Sequence, residues 1–515
     1  MNMAAQIAQA TRRFSNSTAL SEPDQAITFA ELERRSEAVA AHLVESGLRP
    51  GDRVAAFLPN SIDSVVLLYA VLRTGGVFAP LNYRFSDRDL QFVLEDNGST
   101  FLAAQAGDLG RLMPLVPNTS VRQLVVRSGE APAQSGGVEI RRLDDIYRAG
   151  PSRRMPVAAR RDEDDALLMY TSGTTGRPKG VRQTHRNNTA SVEMVVAAWQ
   201  LEAKDRLLQA LPLFHVGGLQ CTTLPALVVG AQTHFLARWD ADAWLQAMET
   251  LQPTFSGLVT TMLIDVVGRV EAKGREASRS SLRFCVFGGS ATPSHIADRF
   301  EKLLQVPLVE LYGQTETTGL ITTYDTGEAR VPGSMGRVRT EVADAIVLTA
   351  EGEEMAFVPG AEGEIAFAGE TVTPGYWRRQ EETERRRHGR FLRTGDVVRV
   401  ENQGYVRYID RVDNMIVTGG ENVYPAPIEA VIARHPKVAQ VAVIGTPHER
   451  LVHQVTAIVV PSDPTLTADE ILSFAAGSAE IAPYMRPRRV EMVEDLPKTG
   501  SGKVDRARLR LDFAN

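Results

Sequence analysis

Residues 167–181 read Leu-Leu-Met-Tyr-Thr-Ser-Gly-Thr-Thr-Gly-Arg-Pro-Lys-Gly-Val. The apolar run at 165–169 predicts a short strand. It feeds into Thr171, Ser172, Gly173, Thr174, Thr175 and Gly176, closed by Arg177, Pro178, Lys179 and Gly180. Glycines let a backbone curl until successive N–H groups point into one concavity. The hydroxyls add donors and Lys179 adds a point charge. Such a segment is a cradle for phosphate oxygens. It is not the Gly-Lys-Ser/Thr loop that runs directly into a helix, because Pro178 precedes the lysine and Gly180 follows it.

Further along, Tyr312, Gly313, Gln314, Thr315 and Glu316 follow a strand-like stretch at 306–311. In open α/β sheets ligands bind beyond the carboxyl ends of strands. Tyr312 offers a flat face for a base. Glu316 offers a hard oxygen for Mg²⁺, which prefers one or two carboxylates plus phosphates. Phe284 begins a buried strand that ends in Gly288, Gly289 and Ser290, where missing side chains let a ligand approach the backbone. Segment 212–218 places His215 alone among apolar residues, with Val216 and Gly217 after it. Segment 391–396 ends in Asp396, whose carboxylate can accept from two neighbouring hydroxyls. Arg411 and Asp413 come next, then Gly419 and Gly420, and the glycine-rich 496–503 carries Lys503.

Taken in chain order, these motifs resemble the signatures of the adenylate-forming (AMP-binding) superfamily, in its acyl-CoA synthetase (carboxylate–CoA ligase) branch, and the resemblance spans about residues 25–510. It implies that Thr171–Gly176 and Lys179 bind the phosphates of ATP. Thr315 and Glu316 then contact phosphates and Mg²⁺. Gly288, Gly289 and Ser290 lie between the adenine and the acyl group. Asp396 binds the ribose, Arg411 contacts the nucleotide and Lys503 is the catalytic lysine of adenylation. His215 becomes a gate and wall of the carboxylate pocket, which draws also on Val216, Gly217, Thr260, Thr261 and Gly289. Asp413 is the implied hinge, and the loop at Gly419–Gly420 the implied lining of the coenzyme A tunnel. Two positions depart from the pattern: Asn414, where Asp is commoner, and Thr260, where relatives often have Pro.

The elements that must position these groups alternate. Thr28 and Glu31 have capping-box spacing ahead of a helical face at Leu32, Ser36, Val39, Ala40 and Leu43. Strands at 52–58, 77–81 and 100–104 interleave with helices at 61–73 and 86–97. After the glycine-rich loop, helices at 187–201, 218–230 and 241–251 interleave with strands at 207–211, 233–236 and 282–287. This alternation predicts parallel sheets wound with helices. Residues 1–15 read as a surface helix and 130–165 as a connector. From 333, short strands such as 363–367 and 396–401 predict a small β-rich unit. Residues 427–435, 438–444 and 454–460 begin a mobile α+β domain. The expected division is thus a large N-terminal domain over 1–410, made of two α/β halves plus the β-rich unit, and a smaller domain over 414–515, hinged at 411–413.

A chain of 515 residues exceeds one core. Net charge of −6 gives no global attraction to nucleic acid. Cys221 and Cys285 stand in apolar runs and read as core thiols of a reducing compartment. No stretch is long and apolar enough to span a membrane, so a cytoplasmic location is expected. Oligomeric state is unreadable, with a homodimer left open. The expected reaction joins a small-molecule carboxylic acid to CoA at the expense of ATP, through an acyl-adenylate. No cationic clamp for a dicarboxylate stands in these segments, so a monocarboxylate is expected, first a medium- or long-chain fatty acid. The alternatives are a benzoate- or cinnamate-type aryl acid, or loading of a carrier protein. Luciferase-like oxidation and a non-catalytic scaffold complete the rivals.

Overall fold

A computed structural model describes residues 2–513 except 128, 130–133, 136, 172–176, 275–280, 291, 293 and 499–503. Contacts divide the chain into two compact units, 1–344 with 367–392, and 345–366 with 393–515. The strand-rich stretch from 333 is shared between them, and the expected boundary at 411–413 falls inside the second.

The first unit holds two wound sheets. In the first sheet, Phe101–Gln105, Arg53–Phe57, Val77–Pro80 and Asp165–Thr171 run parallel in that spatial order, and Lys179–Thr184 closes one side antiparallel. Gln123–Arg127 and Val138–Arg142 extend the other side. In the second sheet, Gln232–Phe235, Arg206–Gln209, Phe255–Val259, Phe284–Gly288 and Leu308–Gln314 lie side by side, all parallel. Gly319–Thr323 then turns back antiparallel. Helix starts follow local chemistry: Thr28 accepts from the Glu31 N–H at 3.2 Å to open Phe29–Glu45, and Ser61 accepts from Ser64 to open Ile62–Arg73. Every residue of Ile62–Arg73 is buried: Val65–Leu72 is apolar on all sides, and near its ends Asp63 and Arg73 are bonded to Arg127 and to Met155 O.

Three local expectations are corrected. The N-terminal helix, Met3–Arg13, is not a surface helix: Met3, Ala4, Ile7, Ala8 and Ala10 are buried. Its small residues let it pack closely on Phe29–Glu45, His185–Trp199 and Leu224–Val229. Residues 130–165 are more than a connector, since they contain strand Val138–Arg142 and helix Leu143–Ala149. The strand is only five residues long and sits near a sheet margin, so its alternation was a short signal. The single helix at 218–230 is instead a short turn at Val216–Gly218, a wider π-type turn at Leu219–Thr223 and helix Leu224–Val229.

The second unit carries an antiparallel sheet in the order Glu421–Val423, Ile416–Thr418, Val452–Pro461, Val438–His448, with Arg489–Met492 parallel to Val452–Pro461. Its first helix, Pro425–Ile432, starts two residues before the expected position, with Pro425 at the first helical turn, where a missing N–H costs nothing. Ile428, Val431, Val443, Val455, Ala457 and Ile471 form its core.

Candidate active site

The parallel strands of the second sheet all end at one edge, and there the expected acyl- and base-binding residues gather. Val259 pairs with Gly288, and Gly288 with Leu311. The next residues, Thr260, Gly289 and Tyr312, therefore stand at the same level, Thr260 and Gly289 just past their strands and Tyr312 within Leu308–Gln314. Arg206–Gln209 is the next strand over, and the segment after it carries His215. The backbone dictates two of the glycines. A Cβ at Gly288 would stand 2.3 Å from the Leu311 carbonyl oxygen, and one at Gly313 only 1.8 Å from that of Gly319. Gly289 has φ +86°, which favours glycine.

His215 is half-buried, and its ring lies 4.5 Å from that of Phe214, which meets Tyr83 edge-on at 4.8 Å. Val216 and Gly217 are half-buried beside it. Thr260 is buried, and its hydroxyl lies 2.8 Å from that of Ser290 and 2.6 Å from that of Thr292. Thr261 is exposed.

At the end expected to meet the phosphates, Thr171 and Lys179 are cross-strand partners, so the strands on either side of the glycine-rich segment, Asp165–Thr171 and Lys179–Thr184, form an antiparallel pair. Ser172, Gly173, Thr174, Thr175 and Gly176 lie outside the described residues, as does Lys503. The base of the Lys503 loop is described: Lys498 bridges Val504, and the Asp505 N–H donates to Pro497 O at 2.7 Å. Lys179 pairs with Glu382 and lies 5.8 Å from the Tyr376 ring centroid.

Gln314, Thr315 and Glu316 enter a tight turn, Thr315–Thr317, whose Thr317 hydroxyl accepts from the Gln314 N–H at 2.8 Å and donates to Gly319 O at 2.8 Å. Gln183 donates to Thr315 O at 2.9 Å and accepts from Gln220 at 2.5 Å. The Glu316 carboxylate is buried and accepts from the Tyr376 hydroxyl at 2.7 Å. Burial, then the Glu316 charge, raise the Tyr376 phenol far above its ordinary value, so it remains a donor. Gln183, Gln220, Tyr376 and Glu382 were not expected from the sequence. Only the Pro374-Gly375-Tyr376 turn left a signal there.

In the second unit, Asp396 and Arg411 face each other across an antiparallel pair, Phe391–Val400 with Tyr405–Arg411. Arg411 Nη1 reaches Asp396 Oδ1 at 2.8 Å and Thr394 O at 3.0 Å. Beside them, buried Asp410 accepts from Asn414 Nδ2 and the Ala426 N–H, both at 2.7 Å. Asp413 lends its carbonyl to Arg510 at 2.9 Å. Gly419 (φ +59°) and Gly420 (φ +89°) form the two-residue turn of a hairpin that requires positive φ at both positions.

Among the described residues no cluster of three or more histidines, cysteines or carboxylates could cage a metal. Mg²⁺ asks for less: one or two carboxylates, with phosphates and water completing its shell. A buried Glu316, fixed by the hydroxyl of Tyr376, whose ring lies near the Lys179 ammonium, fits that demand. Cys221 and Cys285 are buried and free, and burial pushes the Cys221 thiol up to about 12. No helix among the described residues is long and apolar enough to cross a membrane.

The chain resembles known proteins over nearly its whole length. The family profile described as AMP-binding enzyme matches residues 7–377, and that of the AMP-binding enzyme C-terminal domain matches 427–503. A feruloyl-CoA synthase of Amycolatopsis is 34% identical over 504 residues, covering 98% of this chain and 97% of its own. A long-chain-fatty-acid–CoA ligase of Escherichia coli is 30% identical over 529 residues, covering 98% and 93%. The crystal structure of an anthranilate CoA ligase in complex with anthranoyl-AMP superposes with a TM-score of 0.89 at 26% identity, covering 100% of this chain and 97% of that one.

Proposed function

The chain belongs to the AMP-binding enzyme family, in its acyl-CoA synthetase branch, and on that premise we propose that it converts an apolar monocarboxylate, in first place an aromatic acid, to its CoA thioester. A carboxylate is a poor electrophile, since its charge is delocalised and its oxygen leaves badly. Its oxygen attacks the α-phosphorus of ATP, and pyrophosphate departs. The thiol of CoA then attacks the acyl carbon, and AMP departs. The acid supplies the first nucleophile, so the protein needs no general base there. It must supply position and countercharge.

In this reading Thr171 to Gly176 and Lys179 cradle the phosphates. Glu316 would hold Mg²⁺, which would supply countercharge for the phosphates. Tyr312 and Gly288–Ser290 flank the base, and Asp396, aligned by Arg411, takes the ribose hydroxyls. Lys503 serves adenylation. Rotation about Asp413 withdraws it and brings in the Gly419–Gly420 turn for thioester formation. The observation that carries the reading is the shared level of Thr260, Gly289 and Tyr312 at adjoining strand ends, in a chain whose relatives over nearly full length are CoA ligases.

Two features support an aromatic acid: the ring series Tyr83–Phe214–His215 and the feruloyl-CoA synthase relative. A medium- or long-chain fatty acid is the second reading, supported by the Escherichia coli relative. The test is pyrophosphate release with ATP and Mg²⁺ over hydroxycinnamates, benzoates and alkyl acids, with and without CoA. Turnover on hydroxycinnamates that requires CoA is expected. Turnover confined to alkyl acids selects the second reading. Adenylation without thioester formation rejects CoA as the acceptor and points to a carrier protein. Lys503→Ala should lower adenylation by about 10²–10³-fold, the size of losing one donor at a developing charge, yet still convert a synthetic acyl-adenylate to thioester.

A further inference from the structure

We propose that Tyr376 is a positioning residue for the phosphate and metal end of the site, its hydroxyl fixing the Glu316 carboxylate and its ring face holding the Lys179 ammonium. The proposal rests on the reading above, in which Glu316 meets the metal and Lys179 the phosphates.

Tyr376 is built for such a task. Its backbone is clamped on both sides: Arg182 N–H donates to Gly375 O at 3.1 Å, and Trp377 N–H to Gly180 O at 2.7 Å. This pins it alongside strand Lys179–Thr184, with Val181 as its bridge partner. The Thr373 N–H donates to Glu316 O at 2.8 Å, so the same segment also grips the Glu316 backbone. Gly375 has no room for a side chain, since a Cβ would stand 2.4 Å from Thr383, whose hydroxyl accepts from the Tyr376 N–H at 3.0 Å. The phenol is 6% exposed and spans the space between two charges of opposite sign.

Those charges need restraint. A lysine in water carries its ammonium on a flexible stem, but here the Lys179 side chain is 14% exposed, over the ring and against Glu382. Ring faces attract cations. Glu382 occupies the ammonium as a phosphate oxygen would, so it is the internal countercharge that ATP displaces. The hydroxyl of Tyr376, a fixed neutral donor, sets which way the Glu316 oxygens point before any metal arrives.

The experiment is calorimetric binding of ATP to the full chain, with and without Mg²⁺, in the absence of acid. Tyr376→Phe keeps the ring and loses the hydroxyl. It should lose roughly tenfold of the affinity that Mg²⁺ adds, the worth of a hydrogen bond to a charged group, and keep metal-free ATP binding within about twofold. In a Glu316→Gln background the same change should cost nothing further. Tyr376→Leu should also weaken metal-free ATP severalfold. Glu382→Gln, which leaves Tyr376 intact, should tighten metal-free ATP.

Equal losses by Tyr376→Phe with and without Mg²⁺, or no loss, would overturn the hydroxyl's role. Weaker ATP binding by Glu382→Gln would overturn the ring's role, for it would make Glu382 the holder of Lys179. If the unaltered protein gains nothing from Mg²⁺ and releases no pyrophosphate with any acid, the functional reading itself fails. If it does both and Tyr376→Phe leaves the metal gain intact, only the present inference falls.

Discussion

The two sheets of the first unit share a construction but not a burden. Both are wound, mostly parallel, and sealed by buried helices. In the second sheet, one strand end after another delivers a candidate site residue: His215, Thr260, Gly289, Tyr312. In the first sheet only one strand does, Asp165–Thr171, at its hairpin with Lys179. The other ends serve as braces. Asn60, just past strand Arg53–Phe57, is buried and donates to Leu211 O at 3.0 Å and Leu236 O at 3.2 Å, and it accepts from the Leu213 N–H at 2.9 Å. One amide from the first half thus ties down the backbone that follows two adjoining strands of the second, on the path to His215. Repetition of a fold does not repeat its chemistry: most candidate site residues gather at the strand ends of one copy, and the other adds bracing contacts such as those of Asn60.

The sharpest test compares glycines. Gly313→Ala would put a methyl 1.8 Å from Gly319 O, a backbone atom that cannot yield cheaply. The expected cost exceeds about 4 kcal/mol, in the range reserved for forced core rearrangement, with pyrophosphate release abolished. Gly51→Ala, ahead of strand Arg53–Phe57 in the first half, meets nothing within 4 Å and bears only its φ of +86°. About 1–2 kcal/mol is expected there, with activity retained. Urea unfolding and pyrophosphate release measure both. Equal effects would erase the distinction between a ligand-bearing and a bracing half.

How much of this was legible depends on whether the signal is local. The Tyr312–Glu316 motif and the Gly288–Gly289 pair announce themselves because a turn or close approach demands those residue types at fixed spacing. The start of helix Phe29–Glu45 was legible for the same reason, through the capping spacing of Thr28 and Glu31. Strand Thr18–Glu22 was not, for it is short and pairs with Gln232–Phe235 more than two hundred residues away. Asn60 and Tyr376 were hidden differently. Each is an ordinary residue whose importance comes from partners distant in sequence, and no period or motif marks a residue that works through others.

His185 tests the joint between the halves. It follows strand Lys179–Thr184 and opens helix His185–Trp199, fully buried, and neither ring nitrogen has a hydrogen-bond partner among the described residues. Burial first, and the Arg160 charge second, lower its pKa to about 4 from 6.5. The unfolded chain therefore binds the extra proton between those values and the folded chain does not. Stability from this group is complete above about pH 6.5 and drains away as pH falls toward 4, by about 3 kcal/mol in total. His185→Leu should flatten that limb of the urea-unfolding profile. An unchanged slope between pH 6.5 and 4 would show that the acid sensitivity resides elsewhere.

Asn60→Ala should cost about 2–3 kcal/mol, since it strands one buried N–H and weakens two carbonyls. It should also raise KM for the acid more than KM for ATP, because the freed backbone leads to His215 and not to Glu316. Parallel loss of both substrates would mean that Asn60 supports the whole unit and not one wall.

The smallest effect is expected at Thr260. Its hydroxyl joins Ser290 and Thr292 in a three-member cluster at the end of strand Phe255–Val259. Thr260→Val keeps the shape and removes the oxygen, leaving two hydroxyls that can still bond each other or water. Stability should fall by no more than about 1 kcal/mol, the net worth of one ordinary hydrogen bond. The informative quantity is selectivity. Ser290 follows Gly289 directly, so loosening the cluster loosens the wall proposed above to separate base from acid. The ratio of kcat/KM between hydroxycinnamates and alkyl acids should shift severalfold toward alkyl acids, with KM for ATP unchanged. If the ratio holds and KM for ATP moves instead, the cluster belongs to the base side of that wall, and the ring series at Phe214 and His215 is left as the selecting surface.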